Sequence, residues 1–163
     1  MQEKNIDKSA VQDKLIKIEI STPAFKNTES IPKKNTCDGD NLIPSLQISN
    51  VPKEAKSLAL IIEDPDAPLG TWDHFIMWNI KAENFSTEEG KLPVGIAGKG
   101  SGGKIVYEGP CPPKGKVHRY FFNLYALDTL LDIKEGSIKN ILIKAMEGHV
   151  IGKGEMFGTY SRN

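Results

Sequence analysis

Four short runs of β-type residues constrain the fold of this chain more than any other feature. SLALIIE, residues 57–63, is short and continuously apolar, which predicts a central strand buried on both faces. HFIMWNI (residues 74–80) and RYFFNLYAL (residues 119–127) are rich in aromatic residues and predict two more strands. KLIKIEI (residues 14–20) alternates isoleucine with charged residues, as a half-buried strand does. Loops dense in Pro, Gly, Asn and Asp separate these runs, so the sequence predicts a mainly-β fold.

One late segment, SIKNILIKAMEG (residues 137–148), predicts a helix. Its apolar side chains fall on one helical face: Ile138, Ile141, Leu142, Ala145 and Met146. Ser137 can cap the start of this helix and Gly148 can end it. The tail from residue 150 predicts a further strand with turns. With no internal repeat and no linker, we expect residues 14–163 to form one domain after a disordered leader of residues 1–13.

Composition narrows the class of partner and the compartment. The 163 residues carry 21 acidic and 21 basic side chains, so no global field favours nucleic acid or an anionic membrane. No apolar run is long enough to cross a bilayer, and the polar start lacks the hydrophobic region of a signal peptide. This predicts a cytoplasmic protein, with a periplasmic or extracellular one as the alternative if a signal was removed. Cys37 and Cys111 are either two buried thiols or one bridge.

The glycine-rich segment GKGSGGKI, residues 98–105, imitates two nucleotide-binding motifs. It contains G-x-G-x-x-G and comes within one residue of a P-loop, but Ile105 stands where that loop needs a hydroxyl for Mg²⁺. Prolines follow where both motifs need a helix. We therefore expect a flexible surface loop. The chain also lacks a G-x-S-x-G elbow and the spacing of a zinc site, so no metal and no cofactor are expected.

Polar and aromatic side chains collect at the ends of three predicted strands. They are Asp64 and Asp66 after the first strand, Trp72 and His74 around the start of the second, and His118 and Tyr120 at the start of the third. If these ends meet at one edge, they line a small pocket walled by Pro112 and Pro113. An imidazole held by a carboxylate can then donate to an anion from its other nitrogen. Singly, each residue has a structural alternative, because strand-end histidines are often structural and Asp-Pro is often a turn.

Several blocks of the sequence, taken together, resemble the phosphatidylethanolamine-binding protein family, especially its bacterial and archaeal branch, often labelled Raf kinase inhibitor-like. The blocks occur in the family's order, with D-P-D-A-P, G-P-C-P-P and H-R-Y as the most specific motifs, at residues 35–46, 51–80, 109–128 and 145–162. The resemblance implies a large central antiparallel sheet, a second smaller sheet and one or two short helices. It also implies a small cavity that holds phosphate, other small anions or phospholipid headgroups.

The resemblance assigns roles to individual residues. It makes ligand-binding residues of Asp64, Asp66, His74, Pro112, Pro113, His118 and Tyr120, with Trp72 and Cys111 in support. It suggests that Cys37 and Cys111 lie close enough to form a disulfide, which would indicate work outside the cytoplasm. Arg119 is expected to face the other way, onto an acidic loop.

Two departures from the family pattern concern the pocket mouth. Residues 100–103 are Gly-Ser-Gly-Gly where relatives commonly carry Asn-Asp-Phe-Gly, which predicts a thinner aromatic rim and a looser mouth. Asp73 stands where His or Trp is frequent, which predicts added negative charge near the entrance.

The leading functional interpretation is a non-enzymatic, regulatory binding protein for phosphate, small anions or phospholipid headgroups. The alternative is a protein that inhibits a protease or kinase through surface loops, as some relatives do. A hydrolase that uses Asp64 and His118 is least favoured, because no nucleophile or metal set accompanies the pair. Relatives frequently form homodimers, so a homodimer is a further expectation.

Overall fold

The fold is built on two β-sheets and one short helix. The computed structural model describes residues 14–163, so the predicted leader of residues 1–13 lies outside the described residues. Within them the strands are β1 (Ile16–Lys17), β2 (Glu19–Ser21), β3 (Gln47–Ser49), β4 (Ser57–Asp64), β5 (Trp72–Ile80), β6 (Phe85–Ser86), β7 (Ile96–Ala97), β8 (Val117–Leu127) and β9 (Val150–Ser161). A single α-helix, α1 (Lys139–Met146), and a 3-10 turn (Lys33–Asn35) complete the described elements.

The larger sheet has the strand order β1-β9-β8-β4-β5-β7, and the smaller sheet the order β2-β3-β6. All pairs are antiparallel except that of β1 with β9, which is parallel. The predicted mainly-β fold with a large and a small sheet is thus confirmed, with one parallel pair at the edge. The predicted strand of residues 14–20 is divided at Ile18, because β1 joins the larger sheet and β2 the smaller one.

Strand β4 is buried on both faces, as its continuous apolar run predicts. Leu58, Leu60 and Ile62 point into the core shared with the smaller sheet. Ala59 and Ile61 point to the opposite face and pack into the cluster that contains the helix residue Leu142. Successive side chains of a strand alternate between faces, so one apolar run fills both layers.

Helix α1 contacts the sheet along a narrower stripe than the sequence predicts. Only Leu142 and Met146 are buried, while Ile138 and Ile141 remain 48% and 47% exposed. At eight residues the helix is just over two turns long, so few side chains reach the flat sheet surface.

The two ends of α1 differ in how well they follow the prediction. Ile138 occupies the N-cap position and supplies no side-chain hydrogen bond there. The Ser137 hydroxyl, predicted to cap the helix, instead donates to the carbonyl oxygen of Lys134 at 2.6 Å. Gly148 follows the helix with φ at +78°, the left-handed conformation that commonly ends a helix.

The sheet topology brings three strand ends together. Strand β4 runs antiparallel to both β5 and β8, so its end at Asp64 lies beside the start of each neighbour. Asp64 is paired with Trp72 of β5, and Glu63 with Phe121 of β8. No helix among the described residues is long and apolar enough to span a membrane.

Candidate functional site

A cavity of about 400 Å³ opens where the ends of β4, β5 and β8 meet. The predicted residues that line it are Asp64, Trp72, His74, Cys111, Pro112, Pro113, His118 and Tyr120. The lining also includes residues that the sequence did not suggest: Ala67, Pro68, Glu108, Gly109 and Arg162. Asp66 is absent from the lining.

The Asp64 carboxylate orients the His118 ring. Nδ1 of His118 donates to Oδ2 of Asp64 at 2.7 Å, and both side chains are buried. The other carboxylate oxygen, Oδ1, accepts the backbone N–H of Asp66 at 2.8 Å. Because a carboxylate only accepts, Nδ1 of His118 carries a proton, and Nε2 is the ring nitrogen left for another partner.

A backbone carbonyl orients the second ring. Nδ1 of His74 donates to the carbonyl oxygen of Glu108 at 2.5 Å. Burial disfavours the charged ring and lowers the pKa of His74, while the Glu108 carbonyl and the Asp64 charge act in the opposite direction. Burial therefore favours a neutral His74 ring whose Nε2 is an acceptor. Sequence patterns do not reveal such a partner, since any residue can supply a carbonyl.

Tyr120 lies between the two histidines. Its ring meets His74 edge-on at 5.2 Å between centroids and stacks with His118 at 6.5 Å. The residue is only 1% exposed, and its hydroxyl has no hydrogen-bond partner among residues 14–163. Burial raises the pKa of Tyr120, so the hydroxyl keeps its proton and is available as a donor.

Asp66 is placed differently from the expectation that it binds ligand. Its carboxylate accepts from Nε and Nη2 of Arg119 at 2.9 Å each, and from the backbone N–H of Arg119 at 2.9 Å. These hydrogen bonds lower the pKa of Asp66. Arg119 thus faces the acidic loop, as predicted, and the pair fixes that loop to the start of β8. One of the two negative charges expected at the pocket is thereby held outside it.

A disulfide supports the proline wall. Cys37 and Cys111 are bridged, with Cα atoms 5.4 Å apart, so the structure contains the second of the two alternatives left open by the sequence. The backbone N–H of Cys37 also donates to the carbonyl oxygen of Pro110 at 3.1 Å. Gly109 donates its N–H to Oδ1 of Asn41 at 2.8 Å. These contacts fasten the segment before Pro112 to the loop of residues 35–41.

Arg162 brings a cation to the pocket lining. Its Nε and Nη2 lie 3.1 and 3.0 Å from Oδ1 of Asp38, whose Oδ2 accepts the Tyr160 hydroxyl at 2.5 Å. The Tyr160 hydrogen bond, followed by those from Arg162, lowers the pKa of Asp38. The register of the last strand places Arg162 there: Ser161 of β9 pairs with Val117 of β8, which carries Arg162 to the start of β8.

Asp73 does not add negative charge at the entrance, contrary to the expectation. Its carboxylate lies 2.5 Å from Nζ of Lys139 in α1, and the same Nζ lies 2.8 Å from Glu63. Alternate residues of a strand point to opposite faces, so His74 faces the pocket and Asp73 the helix side.

The glycine-rich segment forms a hydrogen-bonded turn on the surface. Ser101 donates its N–H to the carbonyl oxygen of Asp73 at 2.9 Å, and its hydroxyl accepts the Asp73 N–H at 2.7 Å. A Cβ added to Gly102 would lie 2.6 Å from a carboxylate oxygen of Glu108, so the turn packs closely on this pocket residue. The segment is exposed as expected, but it is tied to the start of β5. Residues 14–163 contain no group of three or more His, Cys, Asp or Glu side chains placed to hold a metal ion.

Comparison with known proteins agrees with this architecture. The family model described as phosphatidylethanolamine-binding protein matches residues 21–161. A UPF0098 protein of Methanothermobacter thermautotrophicus is 48% identical over 149 residues, which cover 88% of this chain and 98% of that protein. A UPF0098 protein of Pyrococcus abyssi is 46% identical over 146 residues, which cover 85% and 82% of the two chains.

Two crystal structures have the same fold. CT736 of Chlamydia trachomatis, described as a phosphatidylethanolamine-binding protein homolog, superposes with a TM-score of 0.86 at 41% identity, covering 90% of this chain and 98% of that one. YbcL of Escherichia coli, described as a new member of the mammalian family, gives 0.82 at 30% identity over 90% and 99% of the chains. The family match spans most of the chain and the fold agrees with it, so this chain belongs to the phosphatidylethanolamine-binding protein family.

Proposed function

We propose that this chain binds phosphate groups, free or carried by a small molecule or lipid headgroup, in the pocket between His74, His118 and Tyr120, and does so without catalysis. The observation that carries the proposal is the Tyr120 hydroxyl, which is buried and lacks a partner among the described residues. A buried polar group without a partner costs roughly 1–3 kcal/mol, so a ligand oxygen that accepts from it gains affinity.

The other polar groups of the pocket fit an anion once their partners are counted. Both oxygens of Asp64 are already hydrogen-bonded, which reduces their repulsion of an incoming oxygen. Arg162 adds a guanidinium to the lining. An anion beside the His74 ring favours its protonated form, so we expect binding to draw a proton onto Nε2 and turn it into a donor.

Binding without turnover is favoured by what the lining offers. Asp64 and His118 form a pair that could move a proton, but the lining described within residues 14–163 contains no serine or threonine, and Cys111 is in a disulfide. Hydrolysis through a serine, threonine or cysteine intermediate needs such a nucleophile, and both oxygens of the Asp64 carboxylate are already hydrogen-bonded. The bridge between Cys37 and Cys111 also supports work in an oxidising compartment, the alternative to the cytoplasmic prediction, because cytoplasmic thiols are kept reduced.

The test is an NMR titration that follows the three histidine rings while phosphate, and separately phosphoethanolamine, is added. We expect saturable shifts of His74 and His118. His149 serves as the internal control, because it pairs with the exposed Asp128 outside the pocket lining. The matched variants are His118→Asn, whose amide can still donate to Asp64 while Nε2 is removed, and His149→Asn. Absence of any shift at millimolar ligand, or equal shifts of all three rings, would overturn the proposal.

A further inference from the structure

A second cleft, of about 410 Å³, adjoins the anion pocket at the end of β9. Arg162 lines both the pocket and the cleft, so the two are continuous through one side chain. The charged side chains of the cleft are Lys33, Lys114, Arg162 and Asp38. Apart from Tyr160, all the side chains that line the cleft are charged or carry only polar groups, which sets it apart from the proline-walled pocket.

The three cations reach the cleft from three separate parts of the chain. Lys33 begins the 3-10 turn, Lys114 lies in the turn before β8, and Arg162 follows β9. A backbone hydrogen bond joins the segments that carry Lys114 and Arg162. In it, Gly115 donates its N–H to the carbonyl oxygen of Arg162 at 2.8 Å. Like charges repel, so three converging cations are costly unless something negative lies among them.

The one acidic side chain that lines the cleft already has partners. Asp38 accepts hydrogen bonds from the Tyr160 hydroxyl and from Nε of Arg162, and Nη2 of Arg162 lies 3.0 Å from its Oδ1 in an ion pair. Neither Lys33 nor Lys114 lies within ion-pair distance of a carboxylate among residues 14–163. Three cationic side chains thus face a single acidic side chain, and the side chains of the cleft carry an excess of positive charge.

Arg162 retains donors that can serve a second anion. A guanidinium presents a planar fork of N–H groups, and Asp38 contacts only Nε and Nη2. Nη1 has no hydrogen-bond partner among the described residues. Because Asp38 holds one edge of the guanidinium, the rest of the fork is pre-positioned between pocket and cleft.

We infer that the cleft is a second anion subsite, and that the chain takes organic phosphates that carry a second anionic group. The phosphate lies in the pocket, the second phosphate or carboxylate lies between Lys33 and Lys114, and Arg162 bridges them. This inference rests on the proposed function of the pocket. The inference names a narrower ligand class than the proposed function does, because a compound with a single phosphate and no other anionic group fills only one of the two adjoining sites.

The test compares ligands that differ only in the second anion. Calorimetry would measure the affinities of the bisphosphates of propanediol, butanediol, pentanediol and hexanediol against the matching alkyl monophosphates, at physiological salt to screen long-range effects. We expect one length to bind at least about tenfold more tightly than its monophosphate, because the second contact becomes intramolecular. In the Lys33→Gln/Lys114→Gln variant that gain should disappear, while monophosphate affinity stays within about twofold.

The control is Lys116→Gln, which removes the same charge from an exposed lysine of the same turn that does not line the cleft. Lys33 and Lys114 are exposed, and Lys114→Gln alone gives a readout if the double variant is unstable. Monophosphate binding with no gain for any bisphosphate would overturn the subsite and leave the pocket intact. No binding of any probe would overturn both. If Lys116→Gln loses the bisphosphate gain to the same extent, the gain comes from non-specific attraction by positive charge, and the subsite is overturned.

Discussion

At the scale of single residues, most buried polar groups of the pocket have hydrogen-bond partners within the protein, and one has none. Nδ1 of each histidine and both oxygens of Asp64 have protein partners, whereas the Tyr120 hydroxyl has none among residues 14–163. Proteins ordinarily satisfy buried polar groups, so an exception at a cavity wall fits the proposed role of this hydroxyl in ligand binding. Under the proposed function, the unpaired hydroxyl lowers the stability of the ligand-free protein, and that cost can be measured.

Tyr120→Phe should weaken phosphate binding without weakening the fold. Loss of a hydrogen bond to a charged group costs about 1.5–3 kcal/mol, so affinity should fall roughly tenfold or more. The free energy of unfolding should stay level or rise by up to about 1 kcal/mol, since the removed hydroxyl was unsatisfied. Calorimetry and urea unfolding measure the two quantities.

The matched control for this prediction is Tyr107→Phe. The Tyr107 hydroxyl donates to the carbonyl oxygen of Asn35 at 2.8 Å, so its loss leaves a buried acceptor unpaired and should reduce the free energy of unfolding by about 1 kcal/mol. If Tyr120→Phe destabilises the fold as much as Tyr107→Phe does, its hydroxyl is not the unsatisfied group described above.

His74 should make the ligand-free protein less stable in acid. Burial lowers its folded-state pKa below the ordinary value of about 6.5, so the unfolded chain binds the proton first as the pH falls. The free energy of unfolding should therefore decline as the pH drops below about 6.5, down to the folded-state pKa. Urea unfolding between neutral pH and mild acid measures this slope. His74→Asn, which keeps a donor near the Glu108 carbonyl, should flatten the slope, and an unchanged slope would contradict the assignment.

Sulfate affinity should depend on pH in the opposite direction to the stability of the ligand-free protein. Sulfate remains a dianion over the same range, so the pH dependence of its binding reports on the protein. An anion favours the protonated ring, and sulfate affinity should rise as the pH falls toward the folded-state pKa of His74. Affinity that is flat with pH would show that His74 does not change its charge on binding.

At the scale of elements, the long strands were predictable and the short ones were not. The sequence placed β4, β5 and β8 within two residues of their bounds, because apolar and aromatic runs buried on both faces leave a strong pattern. Strands β6 and β7 have two residues each and exist only through pairing with distant partners. The division at Ile18 was equally invisible, since alternation shows that a strand is half-buried but not which sheet it joins.

The same limit applied to the site: features set by local sequence pattern could be predicted, and features set by the register of distant strands could not. Its strand-end residues were visible because antiparallel neighbours bring one strand's end to the next strand's start. Arg119 was expected to face an acidic loop, but that its partner is Asp66, in the loop after β4, depends on how β4 pairs with β8. The contribution of Arg162 depends on register accumulated along the whole of β9. Such facts require the assembled sheet.

The disulfide should stabilise the fold without being required for it. Bridging residues 74 positions apart restricts the unfolded chain by an amount that corresponds to about 4.4 kcal/mol in the chain-entropy relation. Hydrogen bonds from Cys37 to Pro110 and from Gly109 to Asn41 remain after its loss, so the loops should stay joined. We expect Cys37→Ser/Cys111→Ser to shift the urea midpoint downward while the folded protein still binds phosphate.

Reduced wild-type protein is the control for the disulfide, because it tests loss of the bridge without the serine side chains. Its urea midpoint should match that of the double variant. Thiol titration of the unfolded, unreduced protein should detect no free cysteine, and two after reduction. Reactive thiols before reduction, or an unchanged midpoint after it, would contradict a stabilising bridge.

At the scale of the whole molecule, the pocket joins parts of the chain that are far apart in sequence. Its lining draws on β4, β5 and β8, on the loop with Cys111 and on Arg162 beyond β9. Acidic and basic residues are equal in number, so the proposed attraction of an anion would come from the local arrangement of charges rather than from net charge. A ligand that binds here is bound only by the assembled sheet, and its binding free energy adds to the stability of the entire fold.

Phosphoethanolamine should therefore raise the melting temperature of the wild-type protein in a saturable way. At a ligand concentration of 100 times Kd the gain is about 2.7 kcal/mol, enough for a shift of several degrees in a chain of this size. Phosphate salts also stabilise proteins non-specifically by exclusion from the surface, so the comparison with His118→Asn decides the matter. That variant keeps a donor for Asp64 and loses Nε2, so it should retain only the non-specific, non-saturating part. Equal shifts of the melting temperature in both proteins would show that non-specific stabilisation by the salt, and not binding in the pocket, is the cause.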